Sequence, residues 1–345
     1  MKQHKVSVVI LNYNTKALLE KLIPYVLKTE YPSFEVVVAD NASTDGSLAF
    51  VQSTFKDVKC IQIDKNRGYA GGYNEALKDL KTDYWVLLNS DVEVQPDWLA
   101  PLMDTMLSDE NISAVQPKIK SYHNRDVFEY AGACGGFIDK YAYPFCRGRL
   151  FDQLEADNGQ YDTKSAIFWA TGAALLVRAQ VYKSLGGLDE DFFAHMEEID
   201  LCWRMQNSGN EIWVNPDSTV YHIGGGTLDA HSPQKVYLNF RNNLVLIAKN
   251  MPTAQAIRVL IIRLLLDGLA GVKFIVDGKF KSAAMIVKAH WVFFAKFGFY
   301  WSKRKANPTA KPTDTLPGFI NLSMLYQYFA KGVKNYSDIK KPPVK

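Results

Sequence analysis

A chain of 345 residues is long enough for one large domain with an appendage, or for two domains. With 48% hydrophobic and 22% charged residues it can fill a sizeable core, which excludes wholesale disorder. A net charge of +4, from 40 basic and 36 acidic residues, is too small to imply nucleic-acid binding by itself.

In chain order, "VSVVIL" (6–11) is short, β-branched and apolar, as a strand buried on both faces should be. Because Asn12 and Asn14 stand directly behind it, the N-terminus reads as a first core strand rather than a signal peptide. A helix follows with Thr15 as its N-cap and Leu18, Leu19, Leu22, Ile23, Val26 and Leu27 on one face. "FEVVVAD" (34–40) is a second strand, "AFVQSTF" belongs to a second helix, and "KCIQI" (59–63) is a third strand. "GGYNEALKDL" (71–80) opens a third helix and "YWVLL" (84–88) is a fourth strand. This alternation predicts an α/β fold with a mostly parallel sheet flanked by helices, and ligands in such sheets bind beyond the carboxyl ends of the strands.

The polar residues follow that rule. The first strand ends in Asn12-Tyr13-Asn14 and the second in Asp40-Asn41. The third ends in Asp64-Lys65-Asn66-Arg67-Gly68, and the fourth in Asn89-Ser90-Asp91. Any one of these is explained by a helix cap, as Asp40 would be; four on one rim predict a site. Asp91 and Glu93 offer the carboxylate oxygens that Mg²⁺ or Mn²⁺ prefers, while Pro96 nearby suits a first helical turn that Asp91 would cap instead. Gly71 and Gly72 permit close backbone approach, and a Gly-rich turn before a helix N-terminus, with Arg67, suits a diphosphate.

Further on come a segment rich in Gly and aromatics (126–152) and a strand "SAIFWATGAALLVR" (165–178). An acidic helix "HMEEIDLCWRMQNSG" (195–209) and a strand over 212–227 follow. Cys60, Cys134, Cys146 and Cys202 have no metal-site spacing and read as reduced thiols of a cytosolic protein.

The six stretches "VSVVILNYNTKALLEKLI", "FEVVVADNASTDGS", "KNRGYAGGYNEAL", "WVLLNSDVEVQPDWL", "HMEEIDLCWR" and "VYHIGGGT" occur in the order seen in glycosyltransferase family 2. Over residues 5–245 the chain resembles that family, and most of all its bacterial rhamnosyltransferase-like subgroup. The resemblance implies a GT-A fold, Rossmann-like, over residues 1–245. It implies an inverting transfer of a sugar from a nucleoside diphosphate, dTDP- or UDP-linked and rhamnose in the subgroup, to a glycan or lipid-linked acceptor in cell-surface polysaccharide assembly.

It also implies site residues. Asn12, Tyr13 and Asn14 would border the base, and Asp40 would bond base or ribose. Asn66, Arg67, Gly68 and Asn74 would line the nucleotide-sugar pocket. Asp91 and His222 would hold the metal, Mg²⁺ or Mn²⁺, with Asn89 a neutral substitute for the first acid of the Asp-x-Asp motif and Glu93 left open. The family's catalytic Asp falls on Glu198, with Glu197 beside it as the other candidate base. Trp169 and Gly172 would border the acceptor, although Trp169 equally suits a core. Asp200 and Arg204, four apart, suit a structural ion pair.

From about residue 246 the composition shifts to apolar helices carrying Lys and Arg. On a helical wheel Arg258, Arg263, Asp267 and Lys273 fall on one half of 257–276, opposite Leu260, Ile261, Leu264, Leu265 and Ile275. Four charges exclude a spanning helix. The expectation is an amphipathic region, 246–345, lying on the cytoplasmic face of the inner membrane with Lys279, Lys281, Lys288 and Lys296 toward anionic headgroups, or else an ordinary packed helical region. Two rival readings remain open: a catalytically silent sugar-nucleotide-binding module, and a nucleotidyltransferase on a similar sheet. The second is disfavoured by the absence of Gly from "NYNTKALL".

Overall fold

The computed structural model describes residues 4–224 and 232–340. Strands β1 (Val6–Asn12), β2 (Phe34–Asp40), β3 (Lys59–Gln62) and β4 (Tyr84–Asn89) alternate with helices α1 (Lys16–Val26), α2 (Ser47–Thr54) and α3 (Gly68–Leu77). They pair in parallel in the order β4-β1-β2-β3. Successive residues of these strands feed two different cores, because side chains alternate across a sheet. Val8, Ile10, Val36, Val38, Val86 and Leu88 pack under α1 and α4 (Leu99–Ser108). Val9, Val37, Ala39, Trp85 and Leu87 face the opposite core, which α3 enters with Ala70, Tyr73 and Leu77.

Beyond β4 the sheet becomes mixed. β5 (Val92–Val94), β6 (Ile112–Ser121), β11 (Ser165–Ile167), β12 (Ala174–Arg178) and β13 (Glu211–His222) extend it in the order β11-β13-β6-β12-β4, with β5 on β13. β12 runs antiparallel between β4 and β6. The single strand expected over 165–178 is therefore two, broken at 168–173, where the chain leaves one edge of the sheet and re-enters its middle. A small second sheet holds β7 (Gly136–Asp139), β8 (Pro144–Cys146), β9 (Arg149–Leu150) and β10 (Gln153–Leu154).

Helix α5 (Ala179–Ser184) leads to α6 (Glu197–Asn207), and β13 leads to α7 (Pro233–Asn250), α8 (Thr253–Val276), α9 (Phe280–Ala295) and α10 (Phe297–Ser302). The expected boundary at 245 falls inside α7. Leu246, Met251, Val259 and Phe293 share one core with Trp203 and Val177, and β14 (Phe319–Ile320) pairs with β7 in the second sheet.

In the C-terminal helices the expected helical wheel is overturned at two of its four charges. Arg263 and Asp267 face inward and are 2% and 0% exposed. Their ion pair spans 2.9 Å, and Asp267 also meets His290 at 3.0 Å and the Tyr143 hydroxyl at 3.1 Å. Burial of these charges is tolerated because each is paired and hydrogen-bonded. Of the expected apolar half Ile261, Leu264, Leu265 and Ile275 are left outside while Leu260 is buried, and Arg258 and Lys273 of the charged half stay exposed. Among the described residues no helix is long and apolar enough to cross a membrane.

Candidate active site

Asp91 sits at the turn between β4 and β5, carried there by a strand buried on both faces. It caps no helix: α4 begins only at Leu99. Its Oδ1 lies 3.1 Å from Nε2 of His222, the last residue of β13, and Asp91 O accepts from Ile223 N at 2.9 Å. The other ring nitrogen of His222 lies 3.0 Å from Oε2 of Glu129. Burial works against charge on this imidazole, but the carboxylates on its two sides push it up to about 10. Burial would likewise raise Asp91, and the His222 hydrogen bond and charge hold it below the usual carboxylate range. Glu93 is resolved differently. It is buried, its Oε1 takes a 2.7 Å ion pair from Arg125, and it pairs with Tyr221 across the ladder, so it serves the β5–β13 contact.

Do these residues fit a divalent metal? Ligands about 2.1 Å from an octahedral ion and at right angles to each other stand about 3 Å apart, and Asp91 Oδ1 and His222 Nε2 already have that separation. A carboxylate beside the far ring nitrogen is the usual partner of a metal-binding histidine, and a metal bound here would take the place of the proton that Nε2 shares with Asp91. The donor set fits Mg²⁺ or Mn²⁺, with two protein ligands; no cluster of three or more acidic, His or Cys side chains suited to a metal occurs among the described residues.

The other strand ends hold one another. Asn12 is fully buried, and its Nδ2 lies 2.7 Å from Asp40 Oδ1, 2.9 Å from Ser43 Oγ and 2.7 Å from Ser47 Oγ. Thr15 takes the N-cap position of α1, but its side chain does not cap: the hydroxyl donates to Asn12 Oδ1 at 2.5 Å, and Asp45 caps the Lys16 N–H at 2.9 Å. Asp40 also accepts from Ser43 N at 3.0 Å. Asn12 and Asp40 thus form a rigid floor, while Tyr13 projects above it, 41% exposed. Asn14, in the left-handed region at φ 54°, accepts from Thr44 N at 2.8 Å. Asn89 is partly buried at the end of β4, its N–H donating to Ala173 O at 2.9 Å.

The first turn of α3 departs from the diphosphate cradle that its glycines suggest. Arg67 N donates to Asn41 Oδ1, Gly68 N to Asn66 Oδ1 at 2.9 Å, and Tyr69 N to Phe193 O at 2.8 Å. These amides already have acceptors, so they cannot also cradle phosphate in this conformation. Gly68, at φ 68°, is required because a Cβ there would stand 2.5 Å from Phe193 O. Arg67 turns to Asp64, at 2.9 Å. Asn74 spends its amide inside the protein: it donates to Leu188 O and accepts from Leu188 N and the Tyr182 hydroxyl.

Phe193 belongs to a strained entry into α6. It makes a three-residue turn, Ala194 N donating to Phe192 O at 2.8 Å, and Phe193, His195 and Met196 all have positive φ. Asn242 of α7 over-determines this turn, its Nδ2 lying 2.7–3.0 Å from the carbonyls of Phe192, Ala194 and His195. The strain delivers Glu197 and Glu198 to the N-terminus of α6. The Oε2 atoms of both are buried with no hydrogen-bond partner among the described residues. Burial raises both carboxyls, and the charge of Glu198 raises Glu197 further. The helix itself is anchored, as its spacing predicts, by Asp200 and Arg204 at 2.8 Å, and Lys249 and Asn250 of α7 also bond Asp200.

Two tyrosines lie between the Asp91 and Glu198 halves. Tyr69 and Tyr73 pack with ring centroids 4.7 Å apart. Burial raises both phenols; the charges of Glu197 and Glu198 add to the effect on Tyr69, and that of Asp91 to the effect on Tyr73. The Tyr69 hydroxyl donates to Gly172 O at 2.6 Å, and a Cβ at residue 172 would collide with it, so Gly172 is held against Tyr69. Trp169 is corrected from acceptor platform to core: it is 5% exposed, its Nε1 bonds Phe137 O at 2.9 Å, and its ring lies flat where a Cβ at Gly136 would be.

A metal-fit pair and a buried carboxylate pair at the carboxyl edge of such a sheet call for comparison with known enzymes, and residues 7–166 match the family model Glycosyl transferase family 2. The chain carries a family 2 glycosyltransferase domain. A hexosyltransferase of low-salt glycan biosynthesis from Haloferax volcanii is 25% identical over 69% of this chain and 74% of its own length. The N-acetylglucosaminyl-diphospho-decaprenol L-rhamnosyltransferase of Mycobacterium tuberculosis is 26% identical over 62% of this chain and 75% of its own. A Pyrobaculum calidifontis mannosyltransferase solved with GDP-Man and Mn²⁺ superposes with TM-score 0.53 at 16% identity, over 89% of this chain and 85% of that one. The fold of the glycosyltransferase is GT-A.

Three of the residues that shape the site gave little warning in the sequence. Glu129 is an acid inside an aromatic run, and the paired Asn242-Asn243 is an uncommon choice for a helix interior. Tyr69 left no signal.

Proposed function

We propose that this glycosyltransferase moves a hexose, rhamnose or a close relative, from a dTDP- or UDP-linked donor to a hydroxyl of a glycan or lipid-linked acceptor, inverting the anomeric carbon. The observation that carries the reading is the Glu198 carboxyl at the start of α6: its Oε2 is buried with no hydrogen-bond partner among the described residues, burial raises it, and its charge reaches Tyr69. A buried polar atom without a partner needs an explanation, and general-base duty supplies one.

In the reaction Glu198 takes the proton of the acceptor hydroxyl. The hydroxyl oxygen forms its bond to the anomeric carbon while the bond from that carbon to the diphosphate oxygen breaks, and the electron pair leaves with the diphosphate. Glu197 keeps a second carboxyl next to the base, and the charge of Glu198 holds Glu197 toward its protonated form. Asp91 and His222 would hold the divalent cation, which when bound supplies charge neutralisation at the leaving diphosphate. Asn12 and Asp40 form the floor for the base and ribose, with Tyr13 and Asn14 above them. Asn66, Arg67 and Gly68 meet the donor once the Phe193 turn gives way. The free cysteines fit action in the reducing cytoplasm.

The test is a screen of dTDP- and UDP-sugars with Mn²⁺ and Mg²⁺, reading transfer and product anomer. Asp91→Ala and Glu198→Gln enzymes are each expected to lose at least about a hundredfold in rate. Turnover near wild type in both, or a retained anomer, overturns the assignment. Donor binding without turnover in the wild type favours the silent module.

A further inference from the structure

The hairpin of α8 and α9 presents its apolar side outward. Leu265, Leu269 and Val276 of α8, Phe280 at the start of α9, and Val287 and Trp291 farther along it are each 66–80% exposed. Their spacings of four and seven residues within each helix put them on outer faces, while Val259, Leu260, Ile286 and Phe293 face the core. Monomeric soluble proteins rarely show so many large apolar side chains together, and such a surface marks an interaction site.

Charge decides between occupants. From Gly268 to Pro312 the sequence holds nine Lys and Arg and a single acid, Asp277. That acid is taken by Lys273 at 2.5 Å. Lys279, Lys281 and Lys296 are exposed at the turn and at the end of α9. The acid that α8 does own, Asp267, is turned inward with Arg263. A second copy of this chain would bring the same basic surface against it and be repelled. An anionic bilayer complements both properties, apolar side chains entering the acyl boundary and lysines meeting headgroups, with an indole at the level where tryptophan concentrates.

We infer that the outer face of the α8–α9 hairpin docks the protein in the plane of an anionic lipid bilayer, with Leu265, Leu269, Val276, Phe280, Val287 and Trp291 inserted and Lys279, Lys281 and Lys296 on the headgroups. The surface stands on the C-terminal helices alone and is tested without donor or acceptor.

The experiment is flotation of the full-length protein with vesicles of phosphatidylcholine and phosphatidylglycerol, and with phosphatidylcholine alone. Wild-type protein is expected to float with the mixed vesicles and far less with the neutral ones. Leu265→Glu/Leu269→Glu and Trp291→Glu variants, with unchanged melting temperatures because the sites are exposed, should each lower partitioning about tenfold or more. Lys279→Glu/Lys281→Glu should lose the preference for anionic vesicles. Two results overturn the inference: wild-type protein that stays with neither vesicle, and partitioning unmoved by the apolar substitutions. A dimer that the Leu265→Glu/Leu269→Glu change dissociates, in place of vesicle binding, would assign the face to a second copy instead.

Discussion

Glu129 reaches the site only through His222, yet it decides what that histidine can do. With its carboxylate 3.0 Å from Nδ1, the imidazole offers Nε2 toward Asp91 in a fixed orientation. Glu129→Gln is expected to weaken Mn²⁺ binding by about 10- to 100-fold, measured by calorimetry without donor and so independent of turnover. Affinity equal to wild type would show that the carboxylate has no part in holding the metal. Glu198 predicts a pH dependence. A base must be ionised, and burial raises this carboxyl above its unfolded value. The acid limb of kcat/KM should therefore lie above the ordinary carboxylate range. The sign for stability is the reverse: a raised acid stabilises the fold below its unfolded pKa and loses that contribution as pH rises through the folded one. Glu198→Gln should accordingly melt higher than wild type at pH 8, and the gap should close as pH falls below the normal range of glutamate. An acid limb near pH 4, or a gap that widens in acid, would remove Glu198 from the role of base.

At the scale of elements, the entry to α6 and the first turn of α3 are one mechanical unit. Phe193 O accepts from the Tyr69 amide, Gly68 makes room for it, and Asn242 holds the flanking carbonyls from α7. Gly68→Ala must either push Phe193 away or strain a positive φ, and should cost about 1–3 kcal/mol in urea unfolding. A variant as stable as wild type would mean that the turn yields freely. The Rossmann-like half was legible because its strands are continuous apolar runs ended by polar residues. The start of α3 was not, because its cap is a carbonyl from a residue more than a hundred positions away, which no local pattern encodes. Thr15 stands at the N-cap position as its residue type suggests, but Asn12 Oδ1 competed for its hydroxyl and Asp45 supplied the side-chain cap.

For the whole molecule, the C-terminal hundred residues close the core rather than append to it. Leu246, Met251, Val259 and Phe293 share the core that supports α6. Met324 N donates to Asp139 Oδ2 at 2.8 Å, tying the chain's far end to the turn after β7. A chain ended at residue 245, inside α7, is expected to lose cooperative thermal unfolding and to become sensitive to protease. A sharp melt of that fragment would establish it as a separate folding unit.

What the sequence by itself determined is whatever is written in local pattern and in the order of motifs: the alternating strands and helices, the polar rim, Asp91 and His222 as a candidate pair, and Glu197 and Glu198 as the acidic start of a helix. Only the tertiary structure decided which partners compete for those groups. It gave Glu93 to Arg125, Trp169 to the core and the α3 amides to Phe193, and it set Glu129 behind His222. It also turned Arg263 and Asp267 inward and Leu264, Leu265 and Leu269 outward. A helical wheel records which residues share a face. Which face is buried depends on the ion-pair partners that other elements bring to it, and those partners come from chain segments far apart in the sequence.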